Sequence, residues 1–188
     1  FVAFNFGSPS VALADVAKQL QDIRTATFTR TASREGHPAV TIKETFVGPS
    51  AFRMESSSGM IMVADQGKEK MLTLVPAQKV AFMFDLQDAP DRDHGKNWLQ
   101  DVRQQIRDAV AKPDEAIEEL GSRKIDGRDA VGFQLQLENR ELTVWADPAT
   151  ALPIQIESTT GLVSPKVSHV MTDFEFNVEV DRQLLSLE

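Results

Sequence analysis

Apolar and polar residues alternate with a period of two along most of the chain. This pattern predicts β-strands that bury one face. In 25–32, threonines occupy every second position, and Ala26, Phe28, Arg30 and Ala32 fill the positions between them. Similar segments begin near positions 40, 52, 60, 71, 79, 131, 142, 154 and 167, with turn residues between them. The chain is therefore predicted to form a long antiparallel meander of short strands.

The turns between the strands carry specific chemistry in 121–157. Asp126 and Gly127 form a two-residue turn signal in which glycine supplies a positive φ without a Cβ clash. Asp147-Pro148 ends one strand, and Leu152-Pro153 begins the next. The strands on either side of these turns are therefore expected to be neighbours in one sheet.

Helical spacing replaces the alternation in two places. Near the start, Leu13, Val16, Ala17, Leu20 and Ile23 recur at helical intervals, with capping residues expected from Ser8-Pro9-Ser10. A second helix runs from about Trp98 to Val110, and Pro113 breaks it. A short third helix is predicted with Asp114 as its N-cap and Ile117 and Leu120 on its apolar face.

These elements predict a mainly β, α+β fold. An extensive sheet with one apolar face must curl or be covered, so we expect a curved, unclosed antiparallel half-barrel with two or three amphipathic helices on its concave face. A flat two-layer sandwich is the competing arrangement. The predicted domain spans 10–188, with a helical insertion at about 95–120. Residues 1–9 are interpreted as a leader, the stub of a removed signal or membrane anchor.

Composition narrows the classes of function. A net charge of −8 and a pI near 4.9 argue against nucleic-acid binding, which needs a basic surface. The sequence contains no cysteine, so it has no disulfides, thiolate metal sites or cysteine nucleophile. No apolar run approaches the roughly 20 residues that cross a bilayer.

Catalytic motifs are missing from the sequence. His37, His94 and His169 are far apart, and no nucleophile elbow or phosphate-binding glycine loop is present. Asp91, Asp93 and His94 have ligand chemistry for a divalent cation, but a solvated loop is the preferred interpretation. Paired carboxylates for glycoside hydrolysis stay open, since their positions in space do not follow from the sequence. We expect a non-enzymatic protein with no cofactor and no metal.

A family resemblance rests on 145–153. The element Trp145-Ala146-Asp147-Pro148, with Thr150, Leu152 and Pro153, resembles the W-x-D-x-x-T-x-L-P element of the LolA/LolB/RseB-like superfamily. The early helix, the meander and the inserted helices follow the same order. The resemblance implies an unclosed half-barrel that holds acyl chains or another apolar ligand under a helical lid. It also implies a periplasmic or otherwise extracytoplasmic location, with possible N-terminal membrane anchoring of the full-length chain.

The alternation predicts which residues line the hollow of such a half-barrel. On the sheet they are Phe28, Ile42, Phe46, Phe52, Met54, Met62, Phe82, Phe84, Phe133, Leu135, Val144, Ile154, Phe174 and Phe176, and on the helix Trp98, Leu99, Val102 and Ile106. The simpler interpretation is that they pack against each other as a core. Arg30 is the exception among them, and it is expected to pair with a carboxylate such as Glu44, to reach a lid carbonyl, or to lie at the rim.

Two functions follow from this interpretation. One is a carrier or sensor that binds an apolar ligand, such as the acyl chains of a lipoprotein. The other is a regulatory ectodomain of an anti-sigma factor-like protein, which acts through contacts with an envelope protein and has a filled core.

Overall fold

The computed structural model describes residues 11–88, 98–112, 117–138, 140–160 and 166–187. Residues 1–10, and with them the predicted leader and the Ser8-Pro9-Ser10 cap, lie outside these ranges, as do Asp91, Asp93, His94 and Asp114. Within them the helices are α1 (Leu13–Gln21) and α2 (Trp98–Ala111). The strands are β1 (Thr25–Arg34), β2 (Val40–Val47), β3 (Ala51–Ser56), β4 (Ile61–Asp65), β5 (Lys70–Val75), β6 (Val80–Asp85), β7 (Ile117–Ile125), β8 (Arg128–Leu137), β9 (Arg140–Ala146), β10 (Pro153–Thr160) and β11 (Val167–Phe176).

All eleven strands form one antiparallel sheet in the order β6-β5-β4-β3-β2-β1-β11-β10-β9-β8-β7. The chain starts in the middle of the sheet and builds outward from β1 to β6. It then passes through α2 to the opposite edge and builds inward from β7 to β11. The last strand therefore pairs with the first, and Ala26 lies opposite Phe176. The sheet is not closed, since β6 and β7 are its two edges.

Helix α1 covers the sheet with one apolar stripe. Its stripe residues Leu13, Val16 and Leu20 are buried, as their helical spacing predicts. The N-cap is Ala12, whose N–H donates to the Asp15 carboxylate at 3.0 Å. The carboxylate fits here because the first turn of a helix leaves backbone N–H groups without partners.

Both helices pack on the same face of the sheet, called here the inner face. The main core joins α1 and α2 to the inner-face residues of β1, β2 and β8–β11. Arg103 connects α2 to the segment after α1 and to strand β2. Its Nη2 donates to the Ile23 carbonyl at 2.7 Å, and its guanidinium lies 5.0 Å above the centre of the Phe46 ring. A second, smaller cluster of Phe52, Met62, Ala64 and Met71 lies on β3–β5. Among the described residues, the helices therefore cover one part of the inner face and leave β3–β6 more open.

The predicted third helix is wrong. Residues 117–120 begin the edge strand β7, where Ile117 pairs with Leu135 of β8. Residues three apart share a face of a helix but lie on opposite faces of a strand. Ile117 packs against the main core, whereas Leu120 packs in a cluster on the outer face of the sheet, so their spacing fits a strand with two apolar faces. The closing strand β11 begins at Val167, as the alternation predicts, and ends at Phe176.

The outer face has its own cluster, formed by Ile125, Ala130, Trp145 and Ile154. The prediction that Ile154 shares the inner face is wrong. The register shifts between Pro153 and Gln155, so Ile154 and Ile156 point to opposite faces. Trp145 lies over Gly132, where a Cβ would come within 2.4 Å of the indole ring, and glycine is required by this close approach.

Candidate functional site

A cavity of about 560 Å³ lies on the inner face where the N-terminal half of α2 reaches over β1–β4. Its size is in the range of pockets that hold one small molecule, about 300–1,000 Å³. It is lined by Arg30, Ile42, Glu44, Phe52, Met54, Ser56, Met60, Met62, Trp98, Asp101, Gln105 and Arg140.

Methionine dominates the apolar part of the lining. Met54 of β3 lies directly opposite Met62 of β4, and Met60 precedes Met62 by two positions. Across the cavity, Trp98 of α2 packs on Phe28, with 5.9 Å between the ring centroids. Thioether side chains are flexible and polarizable, so this part of the cavity can adapt to apolar ligands of different shape.

Of the eighteen residues predicted to line the hollow, five line the cavity: Ile42, Phe52, Met54, Met62 and Trp98. A larger group is buried in the main core, namely Phe28, Phe46, Leu99, Val102, Ile106, Phe133, Leu135 and Val144. Phe174 and Phe176 are partly buried against that core. The alternation of these residues predicts which face of the sheet they lie on. The packing of the helices decides which of them are buried in the core and which line the cavity.

Phe82 and Phe84 lie on the edge strand β6, where Phe84 packs against the cluster of Phe52, Met62, Ala64 and Met71. Their rings stack on each other at 6.1 Å, and Phe82 is 46% exposed. Neither side chain lines the cavity. Their role in ligand binding stays a prediction.

Arg30 and Glu44 form a salt bridge on the cavity wall through Arg30 Nε and a Glu44 carboxylate oxygen. This confirms the expected pairing of Arg30 with Glu44. Burial raises the pKa of Glu44, and the charge and hydrogen bond of Arg30 only partly offset that effect. The loss of hydration therefore raises the pKa of Glu44 by more than the interaction with Arg30 lowers it.

His169 of β11 lies behind this pair. Its Nδ1 is 3.4 Å from Arg30 Nη1. Burial and the positive charges of Arg30 and Arg140 lower the pKa of His169 to about 4. Both of these arginines line the cavity.

A second ionic pair joins the sheet to the helix. Arg140 Nη2 of β9 donates to Asp101 Oδ2 of α2 at 2.5 Å, and Gln105 Nε2 donates to the same oxygen at 3.2 Å. Gln105 lines the cavity, and its Oε1 atom is buried without a hydrogen-bond partner among the described residues.

Three of these polar residues, Asp101, Gln105 and Arg140, were not predicted from the sequence to line the cavity. Asp101 and Gln105 follow Trp98 by three and seven positions, which places all three on one face of a helix. Arg140 is in phase with Leu142 and Val144, whose side chains are buried on the inner face. Helical and strand periodicity therefore held the signal for all three residues, but only apolar positions were considered as lining.

The turn that carries the family resemblance is a structural feature. Asp147 Oδ1 accepts hydrogen bonds from the backbone N–H of Ala149 at 2.7 Å and of Thr150 at 3.3 Å. Thr150 Oγ1 accepts from the Leu152 N–H at 3.3 Å. The aspartate and threonine thus satisfy the backbone of a tight turn between β9 and β10, and they do not line the cavity.

Neither a metal centre nor a membrane-spanning helix is found in the part of the chain that the structure describes. Its His, Asp and Glu side chains form no group of three or more that could hold an ion. Neither α1 nor α2 combines the length and apolar character needed to cross a bilayer.

The fold has relatives among solved structures. Mycobacterium tuberculosis lipoprotein LppX aligns with 90% of this chain and 96% of its own, with a TM-score of 0.53 and 9% sequence identity. A LolA superfamily protein from Nitrosomonas europaea aligns with 94% of this chain and 98% of its own, with a TM-score of 0.40 and 9% identity. A chain of the Pseudomonas aeruginosa MucA/MucB complex aligns with 94% of this chain and over 59% of its own length, with a TM-score of 0.46 and 14% identity.

The similarity to LppX, at a TM-score above 0.5, shows that the two proteins share a fold. At such low identities the similarity is one of fold, and it assigns no ligand. No protein-family model matches the chain, and no curated protein matches it by sequence.

Proposed function

We propose that this chain is a non-enzymatic, extracytoplasmic binding domain that holds an apolar ligand, an acyl chain, between its sheet and helix α2. The observation that carries the proposal is the cavity of about 560 Å³ lined by Met54, Met60, Met62 and Trp98. The unclosed sheet is proposed to act as a curved half-barrel, with α2 as its lid.

The position of the cavity supports a binding role. It lies at the boundary between the packed core and the less covered strands β3–β6, where α2 meets the sheet through Trp98 rather than through its most buried residues. A ligand that enters here buries apolar surface without displacing core side chains such as Val102 and Ile106. Apolar burial contributes about 25 cal/mol for each Å² removed from water.

The polar groups of the cavity support a non-enzymatic role. Arg30 is bonded to Glu44, and Arg140 to Asp101. The Ser56 hydroxyl pairs with that of Ser58 at 2.9 Å. Among the described residues, the hydrogen-bond partner of the Ser56 hydroxyl is therefore a serine and not a titratable base. A serine nucleophile activated by a base is disfavoured for this reason.

Location outside the cytoplasm is part of the proposal. It is supported by the fold similarity to LppX, which is a lipoprotein. A chain without cysteine, with an adequate core, suits an oxidising compartment.

The proposal is tested with a neutral fluorescent probe, N-phenyl-1-naphthylamine, whose emission rises in apolar surroundings. The wild-type protein is expected to bind it saturably. Ile42→Trp places a large side chain in the cavity and is expected to abolish most of the binding. Lys43→Trp is the matched control, since it adds the same side chain to an exposed position on the other face of β2.

The two variants separate the outcomes. Equal loss of probe binding in both, or no binding by folded wild-type protein, contradicts the proposal. Native mass spectrometry of protein purified gently from its host adds a second readout. A stoichiometric acyl ligand supports a carrier or lipid sensor, whereas a clean apo mass without uptake of added fatty acid supports the regulatory ectodomain.

A further inference from the structure

We infer that the ligand of this cavity is a single-chain amphiphile with one anionic head group, a carboxylate or a phosphate, which Arg30 and Arg140 bind. The inference deepens the proposed function and rests on it.

The lining is divided into an apolar part and an ionic part. Strands β3 and β4 supply Phe52, Met54 and Met62, whereas the neighbouring strands β2 and β1 supply Glu44 and Arg30. One row across the sheet shows the change, because Met62 lies opposite Met54 and Met54 lies opposite Glu44. A purely apolar ligand would leave the ionic part facing the hydrocarbon, and an amphiphile matches both parts.

Arg30 has hydrogen-bonding capacity that its partners do not use. A guanidinium has five N–H donors and prefers planar oxyanions, which it binds in bidentate fashion. Among the residues that the structure describes, only its Nε meets a strong acceptor, the Glu44 carboxylate. Nη1 faces the His169 imidazole at 3.4 Å, and Nη2 faces the Met54 thioether at 3.6 Å. Both are long contacts to weaker acceptors, so the two Nη groups are available to an anion at the boundary of the apolar part.

The second arginine, Arg140 of β9, lines the same cavity as Arg30 and is bonded to Asp101 of α2. Gln105 Nε2 donates to the same aspartate oxygen. An anionic head group in this cavity meets both cations.

Charge balance identifies the group that must yield. Facing the head-group position are Arg30 on β1, Glu44 on β2, Arg140 on β9, His169 on β11 and Asp101 on α2. With His169 neutral, the two cations and two carboxylates cancel. An added anion is therefore compensated if Glu44 takes up a proton, and burial has already raised the pKa of that carboxyl. Ligand binding is expected to be coupled to proton uptake.

The cavity volume suits a ligand with a single chain. About 560 Å³ lies within the range of about 300–1,000 Å³ for pockets that hold one small molecule, so one acyl chain with its head group is the proposed occupant.

The experiment measures displacement of N-phenyl-1-naphthylamine from the full 188-residue chain by four ligands of equal chain length. These are dodecanoate, dodecyl phosphate, dodecanol and dodecyltrimethylammonium, each below its critical micelle concentration at pH 8. Dodecanoate or dodecyl phosphate is expected to bind roughly tenfold or more tightly than dodecanol, since hydrogen bonds to charged groups are stronger than neutral ones. Their ratio distinguishes a carboxylate ligand from a phosphate ligand. Inorganic phosphate alone is expected not to compete.

Three variants assign the preference to the arginines. Glu44→Gln removes the competing carboxylate and is expected to tighten anion binding and to abolish the proton uptake measured by calorimetry in two buffers. The double variant Arg30→Met/Glu44→Gln removes the whole pair at similar volume, and it is expected to bind dodecanol as before and to lose the preference for anions. Arg140→Gln tests the second arginine separately, and Arg123→Met on the outer face is the control.

Each remaining outcome overturns a defined part of the inference. Equal affinity for all four ligands, or tighter binding of the cation, rejects the anionic head group and leaves the proposed function standing. Competition by inorganic phosphate rejects the amphiphile in favour of a free anion. Failure of the neutral probe and of all four ligands to bind rejects the proposed function as well.

Discussion

His169 is a histidine that the fold keeps neutral. A guanidinium only donates hydrogen bonds, so His169 Nδ1 must accept from Arg30 and the ring proton must lie on Nε2. Burial is the largest cause of its low pKa of about 4, followed by the charges of Arg30 and Arg140. The residue therefore links the ionic part of the cavity to the stability of the protein.

Stability is expected to depend on pH through this residue. In the unfolded chain His169 has its ordinary pKa of 6.5, so that state binds the proton first as pH falls from 6.5 to about 4. The stability that neutral His169 contributes is fully present above pH 6.5 and is lost as the pH falls from 6.5 to about 4. His169→Gln removes the titration, and its free energy of unfolding, measured by urea denaturation, is expected to fall less steeply than that of the wild type.

Two comparisons make this test specific. Glu44, whose pKa is raised, acts in the opposite direction, but it does so in wild type and variant alike and cancels in their difference. His37→Gln replaces an exposed histidine and is expected to leave the wild-type slope unchanged. Parallel curves for wild type and His169→Gln between pH 6.5 and 4 contradict the neutral, buried assignment.

Helix α2 contributes both to the core and to the cavity wall. Leu99, Val102 and Ile106 are fully buried, whereas Trp98 is partly exposed and borders the cavity. The same helix therefore packs into the core through its middle and lines the cavity through its first turn.

Two alanine substitutions are expected to separate these roles. Trp98→Ala should weaken probe binding and leave the fold largely intact. Ile106→Ala should cost about 2–5 kcal/mol of unfolding free energy, as other truncations of fully buried side chains do, and should leave the affinity of the folded fraction unchanged. Probe titration and urea denaturation of both variants provide the measurements. A loss of about 3–5 kcal/mol for Trp98→Ala would assign that ring to a filled core.

At the scale of helices and strands, the elements that could be predicted from the sequence are those with a hydrophobic period visible over a long segment. Leu99, Val102 and Ile106 were assigned to one helix face because a period of 3.6 is visible over a long segment. The short segment 117–120 was misassigned because two apolar residues three positions apart fit one face of a helix as well as two faces of a strand. Pairing of Ile117 with Leu135, which no local pattern reveals, decides between them.

The two edges of the sheet differ across the whole molecule. Strand β7 is interrupted by a register shift and carries exposed charges, including Glu118 and Lys124. These features discourage pairing with another sheet. Strand β6 has no charge from Val80 to Phe84, and Phe82 and Met83 are 46% and 48% exposed. The β6 edge is the one open to association.

Met83→Lys is expected to raise the concentration at which the protein associates on mild heating. Its unfolding free energy should change by no more than about 0.5 kcal/mol, as for most surface substitutions. Val40→Lys adds the same charge at a 37% exposed position within β2, away from the sheet edges, and controls for net charge. Light scattering measures the effect. Equal improvement by both variants would show that the edge itself does not matter.

The meander and its helical interruption follow from the sequence, but the placement of the cavity does not. Alternation assigns Phe46 and Met54 to the same face without distinction. Their different surroundings, a packed core for one and a cavity wall for the other, depend on where the helices lie on that face. The chain order also gives no sign that β11 pairs with β1, since those segments are at opposite ends of the sequence.

That pairing has a consequence for the loss of residues from the C-terminus. In most meanders the last strand is an edge, and its removal trims the sheet by one strand. Here β11 is an interior strand that joins β6–β1 to β10–β7. A premature stop codon or a proteolytic cut that removes the chain from Val167 onward would divide the sheet into two separate halves, each with a new unpaired edge at β1 or β10. The segment that begins at Val167 is thus the part whose loss would expose the most unpaired strand edge to a quality-control protease.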